Sequence, residues 1–172
     1  AGIVRRERTK PIIAAVEGPA LAGGFEIVLS CDLVVAGPDA QFGIPEVKRS
    51  LIANAGGLIR LPRAIPRNLA MEMALTGDPI NAETAHHHGV VNRLVEAGRA
   101  LDSAIALAAE IGANAPLAVR ASRQVIIEGS LLDDDAAFAL SAEAARDVFH
   151  SEDFQEGPRA FIEKRAPNWL GR

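Results

Sequence analysis

The sequence predicts an α/β fold that mixes strands with helices in its first part and is helical in its last part. Three observations support this prediction. Short apolar runs bounded by Gly and Pro recur up to residue 95, helical spacing dominates after residue 97, and no flexible linker separates the two parts. We therefore predict a mixed core in residues 1–97 and a helical region in residues 98–172.

The predicted strands are short and apolar. Residues 12–16 and 33–36 are β-branched apolar runs with a glycine just beyond their ends, which predicts two buried strands. Residues 41–43 predict a short extended piece, and residues 90–95 predict a last strand. Because a helix and short connections separate the first two strands, we expect a repeat in which helices cover buried strands.

The predicted helices are marked by spacing and by their end residues. Asn81 can cap a helix over residues 82–88, with Gly89 at its end. The mixture of charge and apolar surface in residues 1–10 predicts the end of a helix. The other predicted helices cover residues 25–31, 64–76, 99–111, 116–128 and 133–149, and a last one starts near residue 151.

Composition alone limits the class of protein, its partners and its compartment. The 172 residues are 49% hydrophobic and 23% charged, which is typical of a globular protein. A net charge of −4 without a Lys/Arg-rich block argues against a nucleic-acid partner, and the apolar runs are too short to cross a bilayer, so we expect neither a nucleic-acid nor a membrane partner. A single cysteine favours a reducing compartment. We expect the cytoplasm, or the mitochondrial matrix in a eukaryote.

Gly23 and Gly24 precede a predicted helix. Two glycines at a helix start leave backbone N–H groups uncovered, and such groups favour an anion or an oxygen that becomes negative during a reaction. Close packing between helix and strand explains adjacent glycines equally well. The pair alone therefore leaves both interpretations open.

Two glutamates stand at predicted helix starts. Glu26 lies in an apolar segment and Glu46 follows Pro45. Each alone is explained by a favourable interaction with the helix dipole. Together, two carboxylates that follow strands of the same layer can converge on one water and share acid and base roles. With the nearby glycines, this constellation suits addition or removal of water next to a carbonyl.

Several segments closely resemble the signature of the enoyl-CoA hydratase/isomerase (crotonase) family. The likeness spans almost the whole chain in order, and its first stretch is highly specific. The segments are KPIIAAVEG (10–18), ALAGGFE (20–26), SCD (30–32), AQFGIPE (40–46), AGG (55–57), RLPR (60–63), AMEM (70–73), LTGD (75–78) and AFIEKR (160–165).

The resemblance implies a fold, an activity and roles for residues. The fold would be a crotonase-like ββα spiral core, incomplete at its N-terminus, followed by a helical C-terminal region that builds a homotrimer or hexamer. Gly23 would supply one of two oxyanion-hole N–H donors, and Glu26 and Glu46 would form the pair that hydrates 2-enoyl-CoA to 3-hydroxyacyl-CoA in acyl-CoA degradation. Phe161 and Lys164 would contact CoA. The acyl-CoA is the substrate, so no separate cofactor or metal is implied.

The chain also departs from the family pattern. Relatives carry a preceding segment with the second oxyanion donor, so we expect residues 1–172 alone not to be catalytically competent. Asn54 replaces a usual glycine, and Leu58 with Ile59 replaces a more polar pair, which leaves the acyl chain length open. An enoyl-CoA isomerase and a non-catalytic acyl-CoA-binding homologue are the alternatives; the two filled glutamate positions favour the hydratase.

Other conspicuous residues have simpler explanations. Consecutive residues on a helix point in different directions, so residues 86–88 (HHH) cannot form one metal site. Residues 133–135 (DDD) lack the spacing of a calcium loop and suit a helix start. Cys31 suits a small buried hydrophobe, and Met71 and Met73 suit the core or a pocket wall.

Overall fold

The computed structural model describes residues 2–172, which form two compact units that divide after Leu107. Within the described residues, every strand lies in the first unit. Each strand is only two to four residues long, so each contributes few hydrogen bonds and depends on its neighbours for stability. The strands are β1 (Ile13–Val16), β2 (Pro19–Leu21), β3 (Leu33–Ala36), β4 (Gln41–Gly43), β5 (Ile80–Asn81) and β6 (Arg93–Leu94).

The strands form two three-stranded sheets, and the first four strands alternate between them. One sheet has the order β1-β3-β6 and is parallel throughout. The other has the order β2-β4-β5, with β2 and β4 parallel and β5 antiparallel to β4. Two successive strands, one in each sheet, are followed by a helix, and the same order then recurs. This repeat is a ββα turn, and its parallel pairs require the helical crossovers.

The helices of the first unit cover these sheets. Phe25 and Phe42 meet with ring centroids 5.5 Å apart, so the first helix is fixed against β4. The largest fully buried side chains are Phe25, Phe42, Ile44, Leu61, Met73, Val35 and Val91. The helices are α1 (Gly23–Val28), a 3₁₀ helix (Pro45–Arg49), α2 (Gly57–Ala64), α3 (Arg67–Thr76), α4 (Ala82–His87) and α5 (Ala100–Gly112), which continues past the division between the units.

The second unit is helical, and its C-terminal residues fold back on it. The buried carboxylate of Asp153 accepts hydrogen bonds from the N–H groups of Leu170 and Gly171, at 2.7 and 2.9 Å. The indole N–H of Trp169 donates to the Ala113 carbonyl at 2.8 Å. These bonds fix residues 169–171 without a strand. The helices are α6 (Pro116–Gly129), α7 (Asp134–Phe149) and α8 (Asp153–Glu163).

Most predicted elements are present within about two residues, and the exceptions have physical causes. Residues 2–10 form turns and irregular structure, so the predicted helix end is wrong there; residue 1 lies outside the described residues. The predicted helix over 64–76 starts at Arg67, because Ile65 is extended before Pro66. Strands β2 and β5 and helix α2 were not predicted. The predicted division after residue 97 stays a prediction.

Burial sharpens one side-chain prediction and corrects another. Met73 is 2% exposed and belongs to the core, whereas Met71 is 47% exposed and is not a core residue, so a pocket wall stays the prediction for it. Cys31 is half-buried, not buried. Because residues 71 and 73 are not on the same helical face, one methionine points inward and the other outward.

The described residues include no single helix that is long and apolar enough to cross a membrane; α5 and α6 meet the length and composition criteria only together, as a bent pair.

Candidate active site

The two predicted glutamates lie in helices that begin at the same edge of the β2-β4-β5 sheet. Strands β2 and β4 are parallel neighbours in which Leu21 pairs with Gly43. Helix α1 begins two residues after the end of β2, and the 3₁₀ helix begins two residues after the end of β4. Because the carboxyl ends of parallel strands lie at one edge of a sheet, the helices that carry Glu26 and Glu46 both begin at that edge.

The turn between β2 and α1 is strained. Ala22 has φ 51° and ψ −128°, a combination that side chains disfavour, whereas the other two described non-glycine residues with positive φ lie in the ordinary left-handed region at helix ends. Its N–H donates to the Gly43 carbonyl at 2.9 Å, and its carbonyl accepts from the Glu26 N–H at 3.1 Å. Such strain costs about 1–3 kcal/mol and is concentrated at functional sites.

The space beside the glycine pair is open. Apart from its chain neighbours and the backbone of its own helix, a methyl group at Gly23 or Gly24 would meet no described atom within 4 Å, and both residues are exposed. Close packing within the described residues therefore does not explain the pair. Gly23 is the first residue of α1, so its N–H has no intrahelical acceptor. This N–H is available to a ligand oxygen.

Glu26 is buried and anchored at one oxygen. Its side chain is 4% exposed, and its Oε1 accepts a hydrogen bond of 2.9 Å from the N–H of Gly57. A buried carboxylate requires such a donor, because desolvation without hydrogen bonding is costly. The bond crosses 31 residues of sequence and fixes the carboxylate relative to the first turn of α2.

Glu46 is half-buried and differs from Glu26 in its partners. Its Oε2 is buried, and residues 2–172 provide no hydrogen-bond partner for this atom. Its carbonyl accepts from the Leu51 N–H at 3.1 Å, and the Lys48–Asp78 ion pair of 2.5 Å fixes the same 3₁₀ helix. A buried carboxylate oxygen without a partner is common at sites where a ligand, water or proton completes the arrangement.

Phe161 and Lys164 lie in the second unit. Phe161 is 85% exposed on α8, and Lys164 is the exposed left-handed residue that ends this helix, with φ 52°. Both side chains are accessible to a ligand. Their predicted contact with CoA stays a prediction.

The other conspicuous residues have local structural roles. His86 lies 2.9 Å from the Val91 carbonyl through Nδ1, and Asp133 accepts from the Ala136 N–H at 2.9 Å, as a helix start requires. Burial raises the pKa of the Cys31 thiol, although the Arg8 cation opposes this change. Among the described residues, no group of three His, Cys, Asp or Glu side chains could hold a metal ion.

The sequence did not reveal the partner of Glu26. Gly57 donates the bond, and a Cβ at this position would lie 3.2 Å from Glu26 Oε1 and 2.9 Å from the Ala53 Cβ. The signal in the sequence was a second glycine pair, Gly56–Gly57, before an apolar run. That pattern matches Gly23–Gly24, but it does not show which side chain accepts from the Gly57 N–H.

Comparison with known proteins gives consistent matches. The chain is 48% identical over 167 residues to the enoyl-CoA hydratase EchA19 of Mycobacterium tuberculosis, which covers 97% of this chain and 63% of that relative. It is 40% identical over 167 residues to the carnitinyl-CoA dehydratase of Proteus mirabilis, which covers 95% and 64%. The chain thus spans a little under two thirds of the length of these curated relatives.

A crystal structure of an enoyl-CoA hydratase from Mycobacterium tuberculosis H37Rv has the same fold, with a TM-score of 0.97 and 54% identity over 99% of this chain and 68% of that one. This match confirms the predicted α/β fold, with a spiral core and a helical C-terminal region. The sequence pattern of the enoyl-CoA hydratase/isomerase family matches residues 6–172. Its fold, its sequence and the position of its two glutamates after one sheet edge show that the chain belongs to the enoyl-CoA hydratase/isomerase (crotonase) family.

Proposed function

We propose that the protein adds water across the C2–C3 double bond of 2-enoyl-CoA thioesters to give 3-hydroxyacyl-CoA. One observation carries the proposal: two carboxylates lie in helices that begin at the same sheet edge. A backbone N–H anchors the first, and the second has a buried oxygen without a hydrogen-bond partner among the described residues. The open N–H of Gly23 lies on that edge. The names of the relatives support the same reaction class.

In this mechanism, the thioester oxygen accepts a hydrogen bond from the Gly23 N–H, which makes C3 electrophilic. Glu26 and Glu46 hold one water. The water oxygen bonds to C3, the π electrons shift onto the thioester oxygen as an enolate, and the water loses a proton to Glu26. The enolate then re-forms the carbonyl as C2 takes a proton from Glu46. An oriented donor to such an oxyanion contributes about 3–4 kcal/mol.

The fixed hydrogen bond explains why the two acids have different roles. With Oε1 occupied by Gly57, only Oε2 of Glu26 remains for the water, so this carboxylate orients and deprotonates the nucleophile. The buried Oε2 of Glu46 accepts no hydrogen bond from residues 2–172. This oxygen can therefore carry the proton that Glu46 gives to the substrate carbon. Coenzyme A enters as part of the substrate, and we propose no separate cofactor.

The test uses the protein encoded by its complete gene, with crotonyl-CoA and a longer 2-enoyl-CoA. Glu26→Gln and Glu46→Gln should each lower kcat by about 10²–10⁴-fold, the usual contribution of a general acid or base. Binding of the CoA ester should change little. Glu72→Gln removes an exposed glutamate of α3 and serves as the matched control.

Near-normal hydration by the Gln variants would contradict the proposal. A parallel assay with a 3-enoyl-CoA separates hydratase from isomerase: if the wild-type protein shifts the double bond but adds no water, the isomerase alternative is correct. Binding of CoA esters without either reaction would favour the non-catalytic alternative.

We also propose that the protein assembles as a homotrimer or hexamer through its helical region. Helices α6 and α7 contain no buried residue among those described. Large apolar side chains stay exposed on them and on α8: Ile126 is 71%, Phe138 76% and, on α8, Ile162 78% exposed. Apolar patches of this kind mark interfaces. Ile126→Ser with Phe138→Ser should shift the complete protein toward monomer in sedimentation; an unchanged oligomer would show that this surface is not the interface.

Localisation is a separate proposal. The single cysteine supports a reducing compartment, so we propose the cytoplasm, or the mitochondrial matrix if the source is a eukaryote. Fractionation with an antibody to the native protein tests this proposal, and recovery from a secreted or membrane fraction would contradict it.

A further inference from the structure

We propose that Arg60 is a positioning residue for Glu26. Arg60 acts through the turn that precedes α2. The inference rests on the proposed hydratase function for its kinetic consequences, but its geometry stands independently. Glu26 depends on the Gly57 N–H, so the position of the carboxylate depends on whatever fixes the peptide between Gly56 and Gly57.

That peptide lies in a turn with little support of its own. Gly56 has φ 116°, a conformation open to glycine, and no side chain caps the start of α2. Neighbouring side chains cannot compensate, because the adjacent residues Ala55 and Gly57 have no polar side-chain atoms. Backbone N–H groups of Ile59 and Arg60 hold the Gly56 carbonyl, at 3.2 and 2.8 Å, but no side chain of the turn itself holds the residues before it.

Arg60 supplies that support from the first turn of α2. Its Nη1 donates to the Ala55 carbonyl at 3.5 Å. Its backbone N–H also donates to the Gly56 carbonyl at 2.8 Å, a bond that any non-proline residue at this position would make, so the guanidinium is the part specific to arginine. A Cβ at Gly56 would coincide with the guanidinium, which therefore packs directly against the turn. Nη2 donates to the Val4 carbonyl at 2.5 Å, across 56 residues of sequence.

The guanidinium thus joins two segments around one turn. Its planar fork places donors in fixed directions, so it can contact the turn and the segment at Val4 together. A lysine could reach one of these carbonyls but not both. If Arg60 is lost, Gly56 can change its φ, the Gly57 N–H turns away from Oε1, and Glu26 loses its orientation.

The expected kinetic result is a loss in kcat rather than in binding. In the complete protein, Arg60→Ala should lower kcat for 2-enoyl-CoA by about 10- to 100-fold, because small misplacements of a reacting group have effects of this size. KM should stay within about twofold, because the guanidinium is assigned no substrate contact. Arg60→Lys should recover part of the loss, and added guanidinium ion should partly rescue Arg60→Ala.

The matched control is Arg63→Ala, which removes an exposed arginine from the same helix. Its kcat and KM should stay near the wild-type values. If Arg60→Ala does not fold, Arg60→Lys keeps the cation and the aliphatic stem, and its kcat alone decides. Wild-type kcat in either folded Arg60 variant, or equal losses in the Arg60 and Arg63 variants, would overturn the inference.

A crystal structure of the Arg60 variant separates this inference from the proposed function. We expect Glu26 Oε1 to leave hydrogen-bonding distance of the Gly57 N–H. If the wild-type protein hydrates no 2-enoyl-CoA, the proposed function fails, and this structure still decides the role of Arg60. An unchanged Glu26–Gly57 bond in the variant would refute the positioning role.

Discussion

The two units of the chain are stabilised in different ways. All buried residues of the main hydrophobic cluster lie in the first unit, from Val16 to Val91. In the second unit, Ala160 and Asp153 are the residues classed as buried among those described. Hydrophobic burial therefore stabilises the first unit, whereas helix caps, ion pairs and bonds to the C-terminal backbone stabilise the second. The same type of substitution should have different effects in the two units.

The largest expected effect is in the core of the first unit. Leu61→Ala removes a side chain that is 1% exposed in α2 and should lower the free energy of unfolding by about 2–5 kcal/mol. Leu131→Ala is the control in the second unit, where the leucine is 58% exposed, and should change it by under about 0.5 kcal/mol. Urea denaturation measures both. Equal losses would show that the second unit also depends on a buried core.

The next effect is in the second unit, at its buried carboxylate. Asp153→Ala leaves the N–H groups of Leu170 and Gly171 without their acceptor, so we expect a loss of about 1–3 kcal/mol. Hydrogen exchange should show faster opening of residues 164–172. Asp147→Ala removes an exposed aspartate of α7 and should leave this exchange unchanged. If residues 164–172 of the Asp153 variant were as protected from exchange as in the wild-type protein, Asp153 would not be what holds this segment.

A matched pair of helix caps compares the units directly. Asn81 accepts from the Thr84 N–H at 2.8 Å in the first unit, and Asp133 accepts from the Ala136 N–H at 2.9 Å in the second. Each change to alanine should cost about 1 kcal/mol. Because α4 packs in the core, we expect the Asn81 variant to lower global stability and the Asp133 variant to open only α7. Exchange that rises in both units for both variants would remove the distinction.

The smallest effect is a pH dependence confined to the end of α8. Hydrogen bonds from the Arg165 guanidinium, with one from the Asn168 N–H, lower the pKa of Glu156 from 4.5 to about 2, and bonds from Arg159 and Arg165 also lower that of Glu163. Since the folded-state pKa is depressed, the stabilisation is present above pH 4.5 and is lost as the pH falls through about 2.

Glu163 is exposed and Glu156 is half-buried beside its half-exposed Arg165 partner, so solvent limits the contribution, and only residues 164–168 should loosen. Hydrogen exchange between neutral and strongly acidic pH measures the change. Glu156→Gln should remove this pH dependence; a variant that keeps it would show that other groups are responsible.

The comparison also shows which predictions the sequence could support. Long helices with end signals were predicted well: Asn81 and Asp133 cap the helices as their positions indicate, and α5 to α8 start within about two residues of the predicted sites. Two of the very short strands were not predicted, although β4 and β6 are as short and fall in predicted segments. Strands β2 and β5 contain three and two residues, and their pairing uses backbone groups that every residue carries. Side-chain periodicity therefore gave no signal for them.

The sequence by itself predicted the fold class and indicated the two glutamates and the glycine pair as a candidate site, because each has a local pattern of residue types and spacing. Only the tertiary structure decided that Glu26 is anchored by Gly57 and that Arg60 joins the same turn to Val4. Those contacts cross 31 and 56 residues and are made to backbone groups, whose chemistry is the same at nearly every position. A distant partner of this kind is selected by the path of the chain, not by the identity of the residue that supplies it.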